Sequence, residues 1–211
     1  MTFDDTGIPD AVTLAGIHQP GAMLVTNETR NYSFSGGGIS GPTALVKAGA
    51  GRLSMIGQAL TFTGGTTVNG GNLALINTAF PTTGTIVNNA SVGMSVDNLG
   101  YYRIATATAG AGSWTISGNG AGNVWQNRIG YGTAAGAAAT ATGQIAVNAS
   151  GKLWFETYTG QNQTWGPTQP VNIAAGGAVY VYGSAGRTIT VGSLQGAGLL
   201  DFYDGGADGL T

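Results

Sequence analysis

Short runs of alternating apolar and polar residues, each closed by glycine or asparagine, cover most of the chain. The stretch ALTFTGGTTVNGGNLAL, residues 59–75, shows the pattern, because its apolar residues fall at every second position on either side of a glycine pair. Alternation with a period of two is typical of strands that bury one face. Glycine permits the tight turns between such strands. The same rule recurs in the segments 32–36, 52–57, 91–96, 144–149, 153–156 and 178–183. The sequence therefore predicts an all-β protein built from very short strands.

Two architectures accommodate strands this short, an antiparallel sandwich and a coil of stacked turns. The segments 39–55 and 189–202 favour the coil, because both run in the order Ile, Gly, Leu, Gly-x-Gly, Leu. A repeating unit that cannot bury its own apolar face is typical of a solenoid. In a solenoid the turns stack about 4.8 Å apart, and the inward Leu, Val, Ile and Phe side chains line one continuous core.

Composition excludes several classes of function. Only 8% of the residues are charged and the net charge is -2, so no basic patch is available for nucleic acid. The chain has no cysteine, which excludes disulfides and thiolate metal sites. No apolar stretch approaches the roughly 20 residues of a membrane-spanning helix, so we expect no membrane insertion within this chain. No nucleotide-binding glycine loop is present, and no cofactor is expected.

The segment TALVKAGAGRLSMIGQALTFTGGTTVNGGNLAL, residues 43–75, resembles the autotransporter-associated β-strand repeat. That repeat reads L-x-K-x-G-x-G-x-L-x-L, then a spacer, then T-G-G-T-x-V-x-x-G-x-L. The matching residues are Leu45, Lys47, Gly49, Gly51, Leu53, Thr63, Gly64, Gly65, Thr66, Val68, Gly71 and Leu73. Phe62 stands where the repeat usually has tyrosine. The match is strongest over residues 39–75, and residues 189–202 resemble a partial second copy.

The resemblance implies a right-handed parallel β-helix that is extracellular or displayed on a bacterial cell surface. We expect residues 1–211 to form a single domain, cut from a larger secreted protein. Its expected role is a structural stalk or an adhesin-type passenger segment rather than an enzyme. The expected partners are extracellular glycans or a host surface, together with end-to-end association of the open β-helix edges.

Aromatic residues concentrated between 154 and 182 are the candidate carbohydrate contacts. Alternation places some of them outward, and exposed rings on a flat β face stack well on sugars. The alternative is that these rings cover a lateral loop or an open end of the coil. The candidates are Trp154, Tyr158, Trp165, Tyr180 and Tyr182.

Acidic residues suggest two further hypotheses. A polysaccharide-acting enzyme needs converging carboxylates, for which Asp97 and Glu156 are candidates. The stretch DFYDGGADG holds Asp201, Asp204 and Asp208 among glycines, which suits calcium. However, the calcium-binding glycine-aspartate repeat needs regular recurrence, and here it occurs once and out of register. A polar turn is therefore favoured over a metal site.

Overall fold

The computed structural model describes residues 1–120, 122–123, 125–132, 139–156, 163–164, 169–182, 189–190 and 192–203. These residues form 23 short strands and no helix. In chain order the strands are β1 (Thr2–Phe3), β2 (Ala11–His18), β3 (Ala22–Val25), β4 (Tyr32–Ile39), β5 (Ala44–Lys47), β6 (Arg52–Ile56), β7 (Ala59–Leu60), β8 (Thr66–Val68), β9 (Asn72–Ile76), β10 (Ile86–Asn88), β11 (Ser91–Val96), β12 (Tyr101–Ile104), β13 (Thr108–Ala109), β14 (Ser113–Gly118), β15 (Arg128–Tyr131), β16 (Ile145–Val147), β17 (Lys152–Glu156), β18 (Gln163–Thr164), β19 (Pro170–Ile173), β20 (Ala178–Tyr182), β21 (Ile189–Thr190), β22 (Ser193–Gly196) and β23 (Leu199–Tyr203).

The strands stack into three long parallel sheets, which we call faces A, B and C. Face A has the order β1-β3-β5-β8-β10-β13, and face B has the order β2-β4-β6-β9-β11-β14-β16-β19-β22, with β7 also pairing with β4. Face C has the order β12-β15-β17-β20-β23, and β18 pairs with β21. Because the chain returns to the same face with the same strand direction, the molecule is a parallel β-solenoid. The predicted parallel β-helix is confirmed, and the antiparallel sandwich is excluded.

Successive turns take about 20 residues through the first part of the chain. Leu53 pairs with Leu73, and hydrogen bonds between neighbouring turns join residues 19 to 22 apart. One column of face B shows the resulting core. Each of its seven side chains is at most 3% exposed: Tyr32, Leu53, Leu73, Val92, Trp114, Ile145 and Val171. Each contributes roughly 1.5–3 kcal/mol through burial, so stacking stabilises turns that have no core of their own.

Lys47 occupies an inward position on face A, between Val25 and Val68 in neighbouring turns. Its side chain is fully buried. The Nζ atom donates to the carbonyl oxygens of Ala48, Gly49 and Gly70, at 2.6, 2.8 and 3.3 Å. Burial lowers the pKa of Lys47, while the charge of Glu28 opposes the shift. The lysine of the repeat therefore supplies hydrogen-bond donors to carbonyl groups in the turns between faces A and B.

The N-terminal segment closes the first turn through Asp5. Its carboxylate accepts hydrogen bonds from the backbone N–H groups of Glu28, Thr29 and Arg30. These bonds, the one from Arg30 first, lower the pKa of Asp5. Phe3 adds an edge-to-face contact with Phe34, at 4.8 Å between ring centroids. Polar and aromatic contacts together fix this segment to the coil.

The last described turn leaves apolar side chains in contact with solvent. Leu194, Leu199 and Phe202 are 39%, 50% and 48% exposed. The end-to-end association expected from open edges stays a prediction.

The Gly-x-Gly unit of residues 196–198 connects faces B and C, whereas that of residues 49–51 connects faces A and B. The resemblance between the two segments therefore reflects the same strand–turn–strand unit at a different corner of the coil. None of the described residues forms a helix that is long and apolar enough to cross a membrane.

Candidate functional site

The outward side of face C carries a second side-chain cluster, separate from the main core. Strand alternation sends Leu153, Phe155 and Val179 into the core, whereas Trp154 and Tyr180 lie on the opposite side. We call the group on that side the outer cluster. It comprises Tyr101, Arg103, Trp125, Arg128, Trp154, Glu156, Tyr180 and Tyr182.

Aromatic rings form the centre of the outer cluster. Trp154 and Tyr180 pair in register and stack, with centroids 5.0 Å apart and an interplanar angle of 25°. Trp125, between β14 and β15, packs 4.7 Å from the Trp154 ring and edge-on to Tyr182 at 5.8 Å. Trp154 is fully buried and Tyr180 is 5% exposed, whereas Trp125 is 39% exposed. Trp154 and Tyr180 lie on the outward side, as alternation indicates, but both are buried, so neither presents a free ring to solvent.

Arg128 lies among three of these rings. Its Cζ atom is 4.1 Å from the centroid of Tyr101, 4.6 Å from that of Trp154 and 5.0 Å from that of Trp125. A guanidinium group over aromatic faces is attracted by their negative π clouds. Its Nε and Nη1 atoms are buried and donate no hydrogen bond. The rings thus hold the plane of the Arg128 guanidinium while two of its N–H groups have no acceptor.

Glu156 is the buried acid of the outer cluster. It is 4% exposed, accepts a hydrogen bond from the Tyr101 hydroxyl and lies 3.6 Å from Nε of Arg103. Gly130 lies beneath this contact. A Cβ atom at that position would be 2.7 Å from the Tyr101 hydroxyl oxygen and 3.1 Å from Oε2 of Glu156. Glycine is therefore required here so that side chains of β12 and β17 can meet across β15.

Lys152 fixes the loop that carries Trp125. Its Nζ atom donates to the carbonyl oxygens of Gly122, Asn123 and Gln126, at 3.2, 2.9 and 3.3 Å. Burial lowers the pKa of Lys152. Because Lys152 begins strand β17, the loop is fastened to the same face that Trp125 covers.

A groove of about 440 Å³ lies beside face C at the corner with face B. Its lining includes Gly151, Lys152, Gly177, Tyr180 and Leu199. A Cβ atom on Gly151 would be 2.5 Å from the carbonyl oxygen of Ile116, and one on Gly177 would be 2.6 Å from that of Asn148. Close stacking of the turns therefore requires these glycines, and the groove follows from that stacking.

The predicted site residues divide into three groups. Trp154, Tyr180 and Tyr182 come together in the outer cluster. Trp125, which packs against Trp154 and Tyr182, was missed because it lies in a segment without strand alternation. Tyr158 and Trp165 lie outside the described residues, as do Asp204 and Asp208. Asp201 pairs with Tyr180 on the outward side of face C, and its charge adds to burial in raising the pKa of Tyr180. Within the described ranges, no three histidine or acidic side chains group as metal ligands.

One segment of the coil matches a known protein family. Residues 45–75, from β5 to β9, match the passenger-associated-transport-repeat family. We call residues 45–75 the passenger repeat, after the family that they match. With the solenoid fold, this repeat fits an autotransporter passenger-like repeat protein. The passenger repeat contains Lys47 and the first regular turns, whereas the outer cluster lies beyond it. Neither a curated protein nor a solved structure matches the chain significantly.

Proposed function

We propose that the chain is a rigid stalk or scaffold segment of a secreted or surface-displayed passenger. The observation that supports this role is the unbroken inward column of face B, which runs from Tyr32 to Val171 through seven parallel strands. Each added turn extends such a column without changing the turns before it. The passenger repeat also supports an extracellular location, because the family implies a secreted or surface-exposed protein.

An enzymatic role receives less support from the acidic residues. Hydrolysis of a glycosidic bond generally uses two carboxylates that flank the bond. Glu156 is engaged by Tyr101 and Arg103. Asp201 lies on β23, and the whole of β20 separates that strand from β17. Asp97 instead exchanges hydrogen bonds with Asn77 at an exposed turn.

Deletion of one turn tests the stalk role. Arg52 pairs with Asn72, so removal of residues 52–71 joins Gly51 to Asn72 and takes out one turn in register. We expect this variant to fold cooperatively and to be about 4.8 Å shorter along the coil axis. Small-angle X-ray scattering measures the length, and urea denaturation measures the cooperativity.

The matched control removes only residues 52–61, which breaks the register and is expected to prevent cooperative folding. If both deletions abolish folding, the turns are not interchangeable units and the stalk proposal fails. In a separate assay, the intact chain is incubated with a panel of polysaccharides. If the intact chain releases oligosaccharides and the Glu156→Gln variant does not, the chain is an enzyme and the stalk proposal fails.

A further inference from the structure

We infer that the outer cluster binds an anionic saccharide, with Arg128 taking the acidic group and Trp125 stacking on the sugar ring. The ligand class is a sugar that carries a carboxylate or a sulfate. This inference goes beyond the stalk role and does not depend on it. It rests on the distribution of charge, on the unsatisfied donors of Arg128 and on the exposed ring of Trp125.

Three basic side chains gather on the outward side of face C. The chain has only seven lysine and arginine residues and a net charge of -2. Three of the seven, Arg103, Arg128 and Lys152, lie on the successive strands β12, β15 and β17. Elsewhere, Lys47 is fully buried and Arg30 pairs with Asp10. Stacked turns thus bring three described cations to one face, which also carries the carboxylates of Glu156 and Asp201. Arg52 is exposed on face B, and Arg187 lies outside the described residues.

Arg128 has the geometry of an anion receptor. Its Nε and Nη1 atoms are withdrawn from water and have no acceptor, an arrangement that costs free energy. An anion relieves that cost when the partly exposed ring of Trp125 shifts to admit it. A guanidinium group donates charge-assisted hydrogen bonds to carboxylate or sulfate oxygens. Tyr101, Trp125 and Trp154 hold its plane, so little side-chain entropy remains to be lost on binding.

Trp125 offers an exposed indole ring on which a sugar ring can stack. It is the most exposed of the described tryptophans, and its ring lies 5.0 Å from Cζ of Arg128. Apolar faces of sugar rings pack on indole rings, so one acidic sugar unit reaches both side chains. The groove lined by Lys152 and Tyr180 adjoins the same face. A saccharide chain can therefore continue from the outer cluster along the coil axis.

The test uses polymers that differ only in charge. Polygalacturonate is compared with its methyl ester, and dextran sulfate with dextran, by isothermal titration calorimetry and tryptophan fluorescence. We expect the charged member of at least one pair to bind, and the pairs show whether carboxylate or sulfate is preferred. Arg128→Lys and Trp125→Ala are each expected to weaken that binding at least tenfold. Arg52→Lys, at an exposed position on face B, is the matched control and should bind like the parent.

Several results would overturn the inference. These are equal binding of charged and neutral polymers, equal loss of affinity in the Arg52→Lys control, or no binding to any of the four polymers. Binding of poly-glutamate as tight as that of the polysaccharides would assign the face to acidic peptides instead. Near-ultraviolet circular dichroism checks that each variant keeps its tryptophan packing. If Arg128→Lys does not fold, Trp125→Ala and the polymer pairs still decide the outcome.

Discussion

Tyr131 links two faces of the solenoid through the core, and its ionisation gives a quantitative test of the packing. The side chain is 2% exposed and lies between Trp114 and Phe155, with centroid distances of 6.4 and 6.2 Å. Its hydroxyl is 2.6 Å from that of Thr108 on face A. Burial raises the pKa of Tyr131 to about 12, although the Thr108 hydrogen bond acts in the opposite direction. We expect this tyrosine to make the fold sensitive to alkali.

The sign and the size of the pH effect on stability follow from the pKa values of Tyr131 in the unfolded and folded states. The pKa is 10.0 in the unfolded chain and about 12 in the folded protein, so between these values the folded state binds more protons. The contribution of Tyr131 to stability is therefore complete below pH 10 and is lost as the pH rises towards 12. The full difference corresponds to about 2.7 kcal/mol, of which about 1.4 kcal/mol disappears between roughly pH 9 and pH 11.

Urea denaturation of the parent and of Tyr131→Phe at about pH 8 and pH 11 measures this effect. At the lower pH the variant should be less stable by about 1–3 kcal/mol, because the buried Thr108 hydroxyl loses its partner. At the higher pH the gap should shrink by about 1.4 kcal/mol. Other titrating groups are common to both proteins and cancel in the comparison. A gap that stays constant with pH would refute the assignment of a buried, linked tyrosine.

Three further substitutions test the polar and glycine positions. Asp5→Asn should reduce the acid sensitivity of the fold. The stabilisation from the lowered Asp5 pKa is present above the unfolded value of 3.8 and is lost as the pH falls through the folded value. Urea midpoints measured between about pH 2 and pH 6 should therefore fall less steeply with acid in the variant. Lys47→Met should cost about 1–3 kcal/mol in urea denaturation, since buried turn carbonyls lose their donor, and an unchanged midpoint would contradict this role. Gly130→Ala should lower the free energy of unfolding, measured by urea denaturation, by about 1–3 kcal/mol, because the added Cβ atom clashes with Tyr101. The control Gly93→Ala, whose Cβ meets nothing closer than 4.0 Å, should be neutral or stabilising; equal losses would count against the clash.

The core was predictable because it depends on local alternation. Leu53 and Met55 are inward on one turn, as are Leu73 and Leu75 on the next, and each pair can be recognised within five residues of sequence. Lys47 has the same parity as Leu45, so alternation also places it inward. Its role was not predictable from local pattern, because the acceptor Gly70 belongs to the following turn.

The candidate site was predictable only in part. Alternation correctly placed Trp154 and Tyr180 away from the core. Their burial depends on contacts with residues distant in sequence, including Trp125, and those contacts depend on how far the chain travels before it returns to face C. Trp125 itself lies in a loop without a strand pattern, so its sequence environment carried no sign of the stacking partner.

The length of the turns explains where the outer cluster forms. Earlier turns take about 20 residues, whereas Trp114 pairs with Ile145, and Asn148 bonds to Ser117 across 31 residues. A solenoid core constrains only the residues in its inward columns, so extra residues between strands project outward without disturbing the stacking. Trp125 and Arg128 both belong to this longer turn. In the functions proposed above, the regular turns supply the rigidity of a stalk, and the turn that departs from the regular length supplies the outer cluster.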